Sequence, residues 1–412
     1  MAADTAVSAL SPEDTVAVGM VEPAMLTGAL ARHATRLAGL RVLAWPLLGP
    51  QSYARPEFSC VFLSAPRTRR LPHYVPVRLA DAHSIMVDGT MGPSAVFVHV
   101  SPPDADGWCS FGVAADYTFD TALHGDAVVI AEVNQSMPRV RGAATIHVSQ
   151  CDYLVSSDVP IPEMPAGTSD AAERAIGESV ASWVPDRATL QVGIGKLPGA
   201  AVRALSGRHG LGIQSGVIGD AVMDLRLEGV IDGRHKKLYG ELVVTASVLG
   251  SRKLYAWADG NPDVWLMPMS WIHDAHVLSS DPMFTSVNTA LQIDVTGQVN
   301  AESVGEVQIG NAGGLASFHR AAAASPAGRA IVAVRSLTNA GASTVVAGFG
   351  TADPVTSLRA DADVYVTEYG SVSLRGKPIA TRVAALTALA HPDHRAPLLA
   401  QAGVLGLLDH GH

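Results

Sequence analysis

The chain has 412 residues, too many for one ordinary core. With 48% hydrophobic and 16% charged residues it is excluded from the disordered class and is expected to fold as two globular domains. A formal net charge of −9 leaves no basic footprint for nucleic acid, and the short runs Arg67-Thr68-Arg69-Arg70 and His235-Lys236-Lys237 read as solvated surface.

In chain order, Met1-Ala2-Ala3-Asp4 lacks the basic-then-apolar pattern of a secretory signal. No uninterrupted apolar run approaches the roughly 18–20 residues that cross a bilayer. A cytoplasmic protein without a membrane partner is expected. The first strand is Asp14-Thr15-Val16-Ala17-Val18-Gly19, and Pro23 then starts a helix through Met25, Leu26 and Leu30. The same arrangement returns at Thr189-Leu190-Gln191-Val192-Gly193, followed by Pro198 and a helix through Val202 and Leu205. In both copies Gly follows Thr by four residues and Leu follows Pro by seven, which suggests two related α/β halves.

Between the copies, residues 74–79, 95–100, 127–133 and 144–148 read as strands. Short β-branched runs without polar alternation predict a mostly parallel sheet covered on both faces. The proline-rich stretch from Val159 to Gly167 is the linker. A helix from Ser169 to Trp183, with Ala172, Ile176, Val180 and Trp183 on one face, opens the second half. Strands are expected there at 241–245, 330–334 and 364–367. The stretch Leu211-Gly212-Ile213-Gln214-Ser215-Gly216-Val217-Ile218-Gly219-Asp220-Ala221 reads as a strand, a turn and a helix start. Turns of that kind are where open α/β sheets hold ligands.

Several segments together resemble the acetyl-CoA hydrolase/4-hydroxybutyrate CoA-transferase family. In the first half they are Val100-Ser101-Pro102-Pro103-Asp104, Gly107-Trp108-Cys109-Ser110-Phe111-Gly112, Ala131-Glu132-Val133-Asn134 with Met137-Pro138-Arg139, and Ile146-His147-Val148-Ser149. In the second they are Gly297-Gln298-Val299-Asn300-Ala301-Glu302-Ser303, Val366-Thr367-Glu368-Tyr369-Gly370, Leu374-Arg375-Gly376 and Ala390-His391-Pro392. The resemblance runs from about Thr15 to Arg395. It implies an α/β fold of two tandem open-sheet domains of the CoA-transferase type, 1–165 and 166–412. It also implies a cleft between them for an acyl-CoA.

Four departures fall at the family's reaction centre. Gln214-Ser215-Gly216 stands where the resemblance implies a His-Ser-Glu-like triplet carrying the nucleophilic glutamate, and glycine can form no acyl anhydride or thioester. The loop Ile309-Gly310-Asn311-Ala312-Gly313-Gly314-Leu315-Ala316-Ser317-Phe318 resembles the family's glycine loop. In it, Asn311, Leu315 and Ser317 replace the usual glycine, glutamine and aspartate. Glu241 stands where lysine is frequent, and Ser280-Asp281 where an asparagine is expected. The resemblance makes Gly193, Gly195, Asn300, Gly310, Gly313 and Gly314 the residues that contact the coenzyme A portion.

Glu241 reads either as a relocated nucleophile or as an exposed carboxylate at a strand start. Glu302 and Glu368 read as structural carboxylates that hold turns, and Asp220 as a helix-start residue. His99 and His147 read as core histidines on apolar strands. His73, His273, His276 and His319 read as loop residues and candidate bases, with His273 first. No histidine pair has zinc spacing, so no metal is expected. The third glycine of a dinucleotide fingerprint is missing after Gly193-Ile194-Gly195. Neither Ser110 nor Ser215 lies in a Gly-x-Ser-x-Gly elbow. Cys60, Cys109 and Cys151 cannot all pair, which fits a reducing compartment, and Cys109, with the apolar neighbours Trp108 and Phe111, reads as a packed thiol in preference to a nucleophile.

Three functions are therefore in competition. One is direct acyl transfer from a coenzyme A thioester to a small-molecule acceptor (an amine, an alcohol or a carbon nucleophile) or to water. There Asn311 and the Gly310–Gly314 backbone polarise the carbonyl, and Gln214, Ser215, Gly216 and His273 surround it. The second is carboxylate-driven CoA transfer through Glu241, and the third is acyl-CoA binding without turnover. No tightly bound cofactor is expected, and a homodimer is.

Overall fold

The computed structural model describes residues 1–64, 73–87, 89–305 and 307–408; the basic run at Arg67–Arg70 lies outside them. Two compact units emerge. The first comprises Met1–Pro165, Gly216–Ile218 and Leu242–Asp274, and the second Ala166–Ser215, Gly219–Glu241 and Ala275–His412. Each carries an open, largely parallel sheet, so the fold is the α/β arrangement of two open-sheet domains.

In the first unit the strands are β1 (Thr15–Val18), β2 (Arg41–Ala44), β3 (Ser59–Phe62), β4 (Ala95–Val100), β5 (Val128–Asn134) and β6 (Tyr153–Ser157). They lie in the order β3-β2-β1-β4-β5-β6, all parallel. Covering such a sheet on both faces requires apolar residues at every position, and β4 is buried along its whole length. The core joins Val16 and Val18 of β1 to Leu26 and Leu30 of the helix Ala24–Arg32, and to Phe97 and Ile130.

Strand order reverses between β1 and β4, the place where open sheets form a crevice at their carboxyl ends. Asp116 closes off the end of β1. It caps the helix Tyr117–His124, its Oδ1 accepting from the Thr118 N–H at 2.9 Å and hydroxyl at 2.7 Å, while Oδ2 accepts from the Met20 N–H at 2.5 Å. A Cβ on Gly19 would sit 2.6 Å from Asp116 Oδ2, so the residue after β1 has to lack a side chain.

The second unit contributes β7 (Thr189–Val192), β8 (Gly212–Ser215), β9 (Phe284–Thr289), β10 (Arg329–Ala333), β11 (Val364–Thr367) and β12 (Gly370–Ser373). They follow one another as β8-β7-β9-β10-β11-β12, parallel except for the last hairpin. Here the order reverses between β7 and β9. The two similar Thr-to-Gly segments thus supply the equivalent strand of each sheet, β1 and β7. The helix expected over 169–183 runs from Ala171 to Ser182. Its cap is Asp170, which exchanges 2.9 Å hydrogen bonds with Glu173 in a capping box.

Several expectations are corrected. Residues 74–79 form no strand: Tyr74 makes one bridge to Phe62, and Leu79–Asp81 is a 3₁₀ turn. The strand expected at 144–148 is Thr145–His147, paired antiparallel with Trp108–Ser110 outside the parallel sheet. The strand expected from Glu241 begins at Val243, pairs with Val264–Leu266 and groups with the first unit. Lys236 is not solvated surface. It is buried, its ammonium donates to the Ile213 carbonyl at 2.7 Å, and burial pulls its pKa down to about 7. His276 and His319 lie on helices, not in loops.

Replacing Gly19 by alanine should push a methyl group into a carboxylate already held by three donors. The expected loss is about 1–3 kcal/mol in urea unfolding. Gly207→Ala, where an added Cβ meets nothing within 4 Å, should change stability little. Equal stability of the two variants would contradict the packing described for the β1 end.

Candidate functional site

Two helices start at the carboxyl edge of the second sheet where its order reverses. Lys196–Arg203 follows β7, and Leu315–Ala324 lies between β9 and β10. Right-handed crossovers running to opposite sides of the reversal place these helices on opposite faces, with a crevice between their starting turns. Both begin at a glycine that brings no side-chain cap, Gly195 at φ +105° and Gly314. Helix starts of this kind present backbone N–H groups and positive potential to an oxygen ligand.

The glycine loop is held from below. Asn300 is fully buried, with Oδ1 accepting from the N–H groups of Glu302 (3.1 Å) and Ser303 (3.4 Å) and Nδ2 donating to the Ser303 carbonyl (2.7 Å). The Glu302 carbonyl accepts from the N–H groups of Ile309 and Gly310, each at 2.8 Å, and the Thr356 hydroxyl donates to the Glu302 carboxylate at 2.8 Å. A Cβ on Gly310 would lie 2.3 Å from the Ala301 carbonyl oxygen, so only glycine allows this approach. Asn311 is half-buried and lies over Gly313, which has φ +53°; Asn311 Oδ1 is 2.8 Å from the place a Gly313 Cβ would take. Asn300 therefore builds the loop from beneath, while Asn311 lies on it.

The face of the sheet beside this loop is polar. Phe284 and Ala330 pack with Phe318, Ala321 and Ala322 of the helix Leu315–Ala324, so Ser286 and Asn288, alternating with Phe284, face the same side. Ser286 is aligned with Gln191 across β9 and β7. Ile213 is aligned with Leu190, which puts Gln214 beside Gln191 in the next step along β8. Gln191 and Asn288 exchange two amide hydrogen bonds, at 3.2 and 2.8 Å. Ser286 and Asn288 are absent from the sequence-based candidates because β9 reads Phe-Thr-Ser-Val-Asn-Thr, a pattern without an apolar run.

Ser215 is fully buried and its hydroxyl is engaged with Val192, accepting from the N–H at 3.1 Å and donating to the carbonyl at 2.9 Å. It serves as a clasp between β8 and β7. Glu241 is exposed in a left-handed turn at φ +66°, with its N–H donating to the Gly233 carbonyl at 3.2 Å. Gly216 is buried and groups with the first unit, as does His273. His273 closes the short helix Met269–Ile272, with Nδ1 2.8 Å from the Met269 carbonyl oxygen, and burial lowers its pKa to about 4. It is a neutral imidazole at physiological pH. The remaining candidates, Gly193, Gly195, Gln214, Ser215, Glu241, Asn300, Gly310, Asn311, Gly313 and Gly314, belong to the second unit. Among the described residues no group of three His, Cys, Asp or Glu side chains is arranged to hold a metal.

His319 sits in the helix behind the glycine loop, buried, with Nδ1 2.9 Å from the Ser357 hydroxyl, and burial depresses its pKa to about 3. The unfolded chain takes up this proton near pH 6.5 and the folded one does not. The imidazole therefore contributes stability above pH 6.5 that is lost, at about 1.4 kcal/mol per pH unit, as the pH falls toward 3. Urea unfolding of wild type and His319→Gln from pH 7 to 4 should show a shallower pH dependence in the variant. Parallel curves would contradict the buried neutral state.

Comparison with known proteins agrees with this architecture. Residues 72–165 match the acetyl-CoA hydrolase/transferase N-terminal domain and residues 250–402 the C-terminal domain. The 4-hydroxybutyrate coenzyme A transferase of Clostridium kluyveri is 35% identical over 92% of this chain and 90% of its own length. A succinyl-CoA:acetate/propanoyl-CoA:succinate CoA transferase of Fasciola hepatica is 34% identical over 79% of this chain and 68% of its own. Among solved structures, RipA from Yersinia pestis superposes with a TM-score of 0.92 at 30% identity, covering 99% of this chain and 98% of that one. The 4-hydroxybutyrate CoA-transferase of Porphyromonas gingivalis gives 0.84 at 32% identity, covering 98% and 97%. With its sheet topology, its glycine loop and these matches, the chain belongs to the acetyl-CoA hydrolase/transferase family.

Proposed function

We propose that the protein is an acyl-CoA-using enzyme that passes the acyl group directly to a small-molecule acceptor or to water, with no glutamyl-CoA intermediate. The observation that carries this reading is the residue at position 216: the turn after β8 ends in a buried glycine and offers no carboxylate. The loop that would polarise a thioester carbonyl is nevertheless built in full. In enzymes of known mechanism one backbone donor at such a loop is worth about 3–4 kcal/mol.

In the proposed reaction the Asn311 amide and the backbone N–H groups of the loop after Gly310, whose own N–H is held by the Glu302 carbonyl, stabilise the thioester oxygen as negative charge builds. The acceptor forms a bond to the carbonyl carbon, the C–S bond breaks, and coenzyme A leaves with the acceptor's proton. Gly193 and Gly195 flank the coenzyme A portion. Gln214 and Ser215 shape the turn, and Gly216 leaves room for the acceptor. His273 contributes as a neutral hydrogen-bonding group, because a pKa of about 4 makes it a weak base at neutral pH. The names of the relatives, which pair acyl-CoA with carboxylates, favour a second reading with Glu241 as the nucleophile. Its exposure and left-handed backbone favour the first. The protein acts in the cytoplasm as a homodimer with domains 1–165 and 166–412, and a monomeric mass by light scattering at micromolar concentration would remove the dimer.

Borohydride trapping during incubation with acyl-CoA, followed by peptide mass mapping, decides between the readings. Consumption of the thioester with every glutamate unmodified is expected. A reduced Glu241 would replace this mechanism with CoA transfer, and intact thioester would leave a binding protein. Gly216→Glu should lower turnover by blocking the acceptor. Asn311→Ala should lower it by weakening carbonyl polarisation, on the order of 100- to 1000-fold. Full activity in both would overturn the site.

A further inference from the structure

An open pocket of about 420 Å³ lies among three helices of the first unit, Ala82–Val87, Tyr117–His124 and Met269–Ile272. Asp120 forms part of its wall, yet the Asp120 side chain is only 4% exposed. Its Oδ1 accepts from the Ser270 hydroxyl at 3.1 Å and lies 3.2 Å from His83 Nδ1. Its Oδ2 has no partner, although buried polar atoms in folded proteins nearly always have one. Burial pushes the Asp120 carboxyl above its ordinary range, and the His83 and Ser270 contacts and the charge of His124 do not offset it. The carboxylate is held with less compensation than its burial calls for.

The other polar groups of the pocket add acceptors. A neutral His83 that donates to Asp120 from Nδ1 keeps a lone pair on Nε2. Ser270, whose proton goes to Oδ1, keeps the lone pairs of its oxygen. His124 stands edge-on to His83 with ring centroids 5.5 Å apart, and Phe119 and Trp271 contribute aromatic walls. An anion would meet the charge of Asp120, whereas a cation gains from both the carboxylate and the rings. The His83, Asp120 and His124 side chains are not arranged to hold a metal ion, which favours an organic cation.

We infer that this pocket binds a small organic ammonium, a protonated amine with an apolar body, whose N–H donates to Asp120 Oδ2 while its body lies against Phe119 and Trp271. Access to Oδ2 comes through rotation of the His83 ring, whose side chain is 40% exposed. The volume suits such a ligand, since small-molecule sites run from roughly 300 to 1,000 Å³. The site lies wholly within the first unit and does not depend on the acyl-CoA reading.

Calorimetric titration of the full-length protein with benzylammonium, benzyltrimethylammonium and benzoate, in the presence of EDTA, tests the inference. Benzylammonium should bind. The trimethyl analogue, which keeps the charge and the ring but has no N–H, should bind about tenfold more weakly or worse, and benzoate should not bind. Asp120→Asn should weaken benzylammonium on the order of tenfold or more, and Trp271→Leu should weaken it as well. Urea midpoints identify any variant that has lost its fold, and the wild-type selectivity stands without the variants. No binding of benzylammonium, equal binding of the trimethyl analogue or of benzoate, or unchanged affinity in folded Asp120→Asn would overturn the inference. A separate titration without EDTA uses Zn²⁺. Stoichiometric Zn²⁺ binding that Asp120→Asn and His124→Ala both abolish would replace the ammonium site with a metal site.

Discussion

Strands β7 and β9 hydrogen-bond side by side in parallel while the helices that follow them leave toward opposite faces. What the second unit offers a ligand follows from that one constraint. It places two helix starts at the same sheet edge, brings the glycine loop to the end of β9, and leaves the carboxyl ends of three strands exposed to one another's side chains. The first sheet has the same reversal between β1 and β4, but there the Asp116 carboxylate takes the space at the end of β1 and is held by Met20 and Thr118.

The polar side chains of the second crevice are engaged in hydrogen bonds with the surrounding structure. Ser215 is engaged with Val192, Asn300 with the turn beneath the glycine loop, and Glu302 with Thr356. The histidines with resolved shifts are buried and neutral. An arrangement rich in fixed dipoles and poor in charged groups suits stabilisation of charge that develops on a substrate oxygen.

Much of this was legible in the chain. The apolar runs of β1, β4, β5, β7, β10 and β11 announced themselves because strands buried on both faces are predominantly apolar. The glycine loop was visible because close backbone approach admits only glycine, as at Gly310. What escaped is equally physical. β9 carries Thr285, Ser286 and Asn288 in a core position and so lacks the apolar run by which the other strands were read. Local pattern fails most readily where function demands polar atoms inside. Lys236 escaped for a similar reason. Its solvated look in a basic run gave no hint that Gly212 leaves room for its stem, with a Cβ there falling 2.3 Å from Lys236 Cγ. His319 read as a loop base because the helix start at Gly314 carries no capping side chain.

The absence of a covalent coenzyme A adduct is the central claim, and isotope exchange addresses it most directly. Protein is mixed with an acyl-CoA and the isotopically labelled free acid of the same acyl group, with no other acceptor, and label in the thioester pool is followed with time. A glutamyl-CoA enzyme moves label into acyl-CoA through its reversible half-reaction. Direct transfer predicts that the acyl-CoA stays unlabelled while it is slowly consumed. Label appearing in acyl-CoA at a rate comparable to turnover would contradict the account.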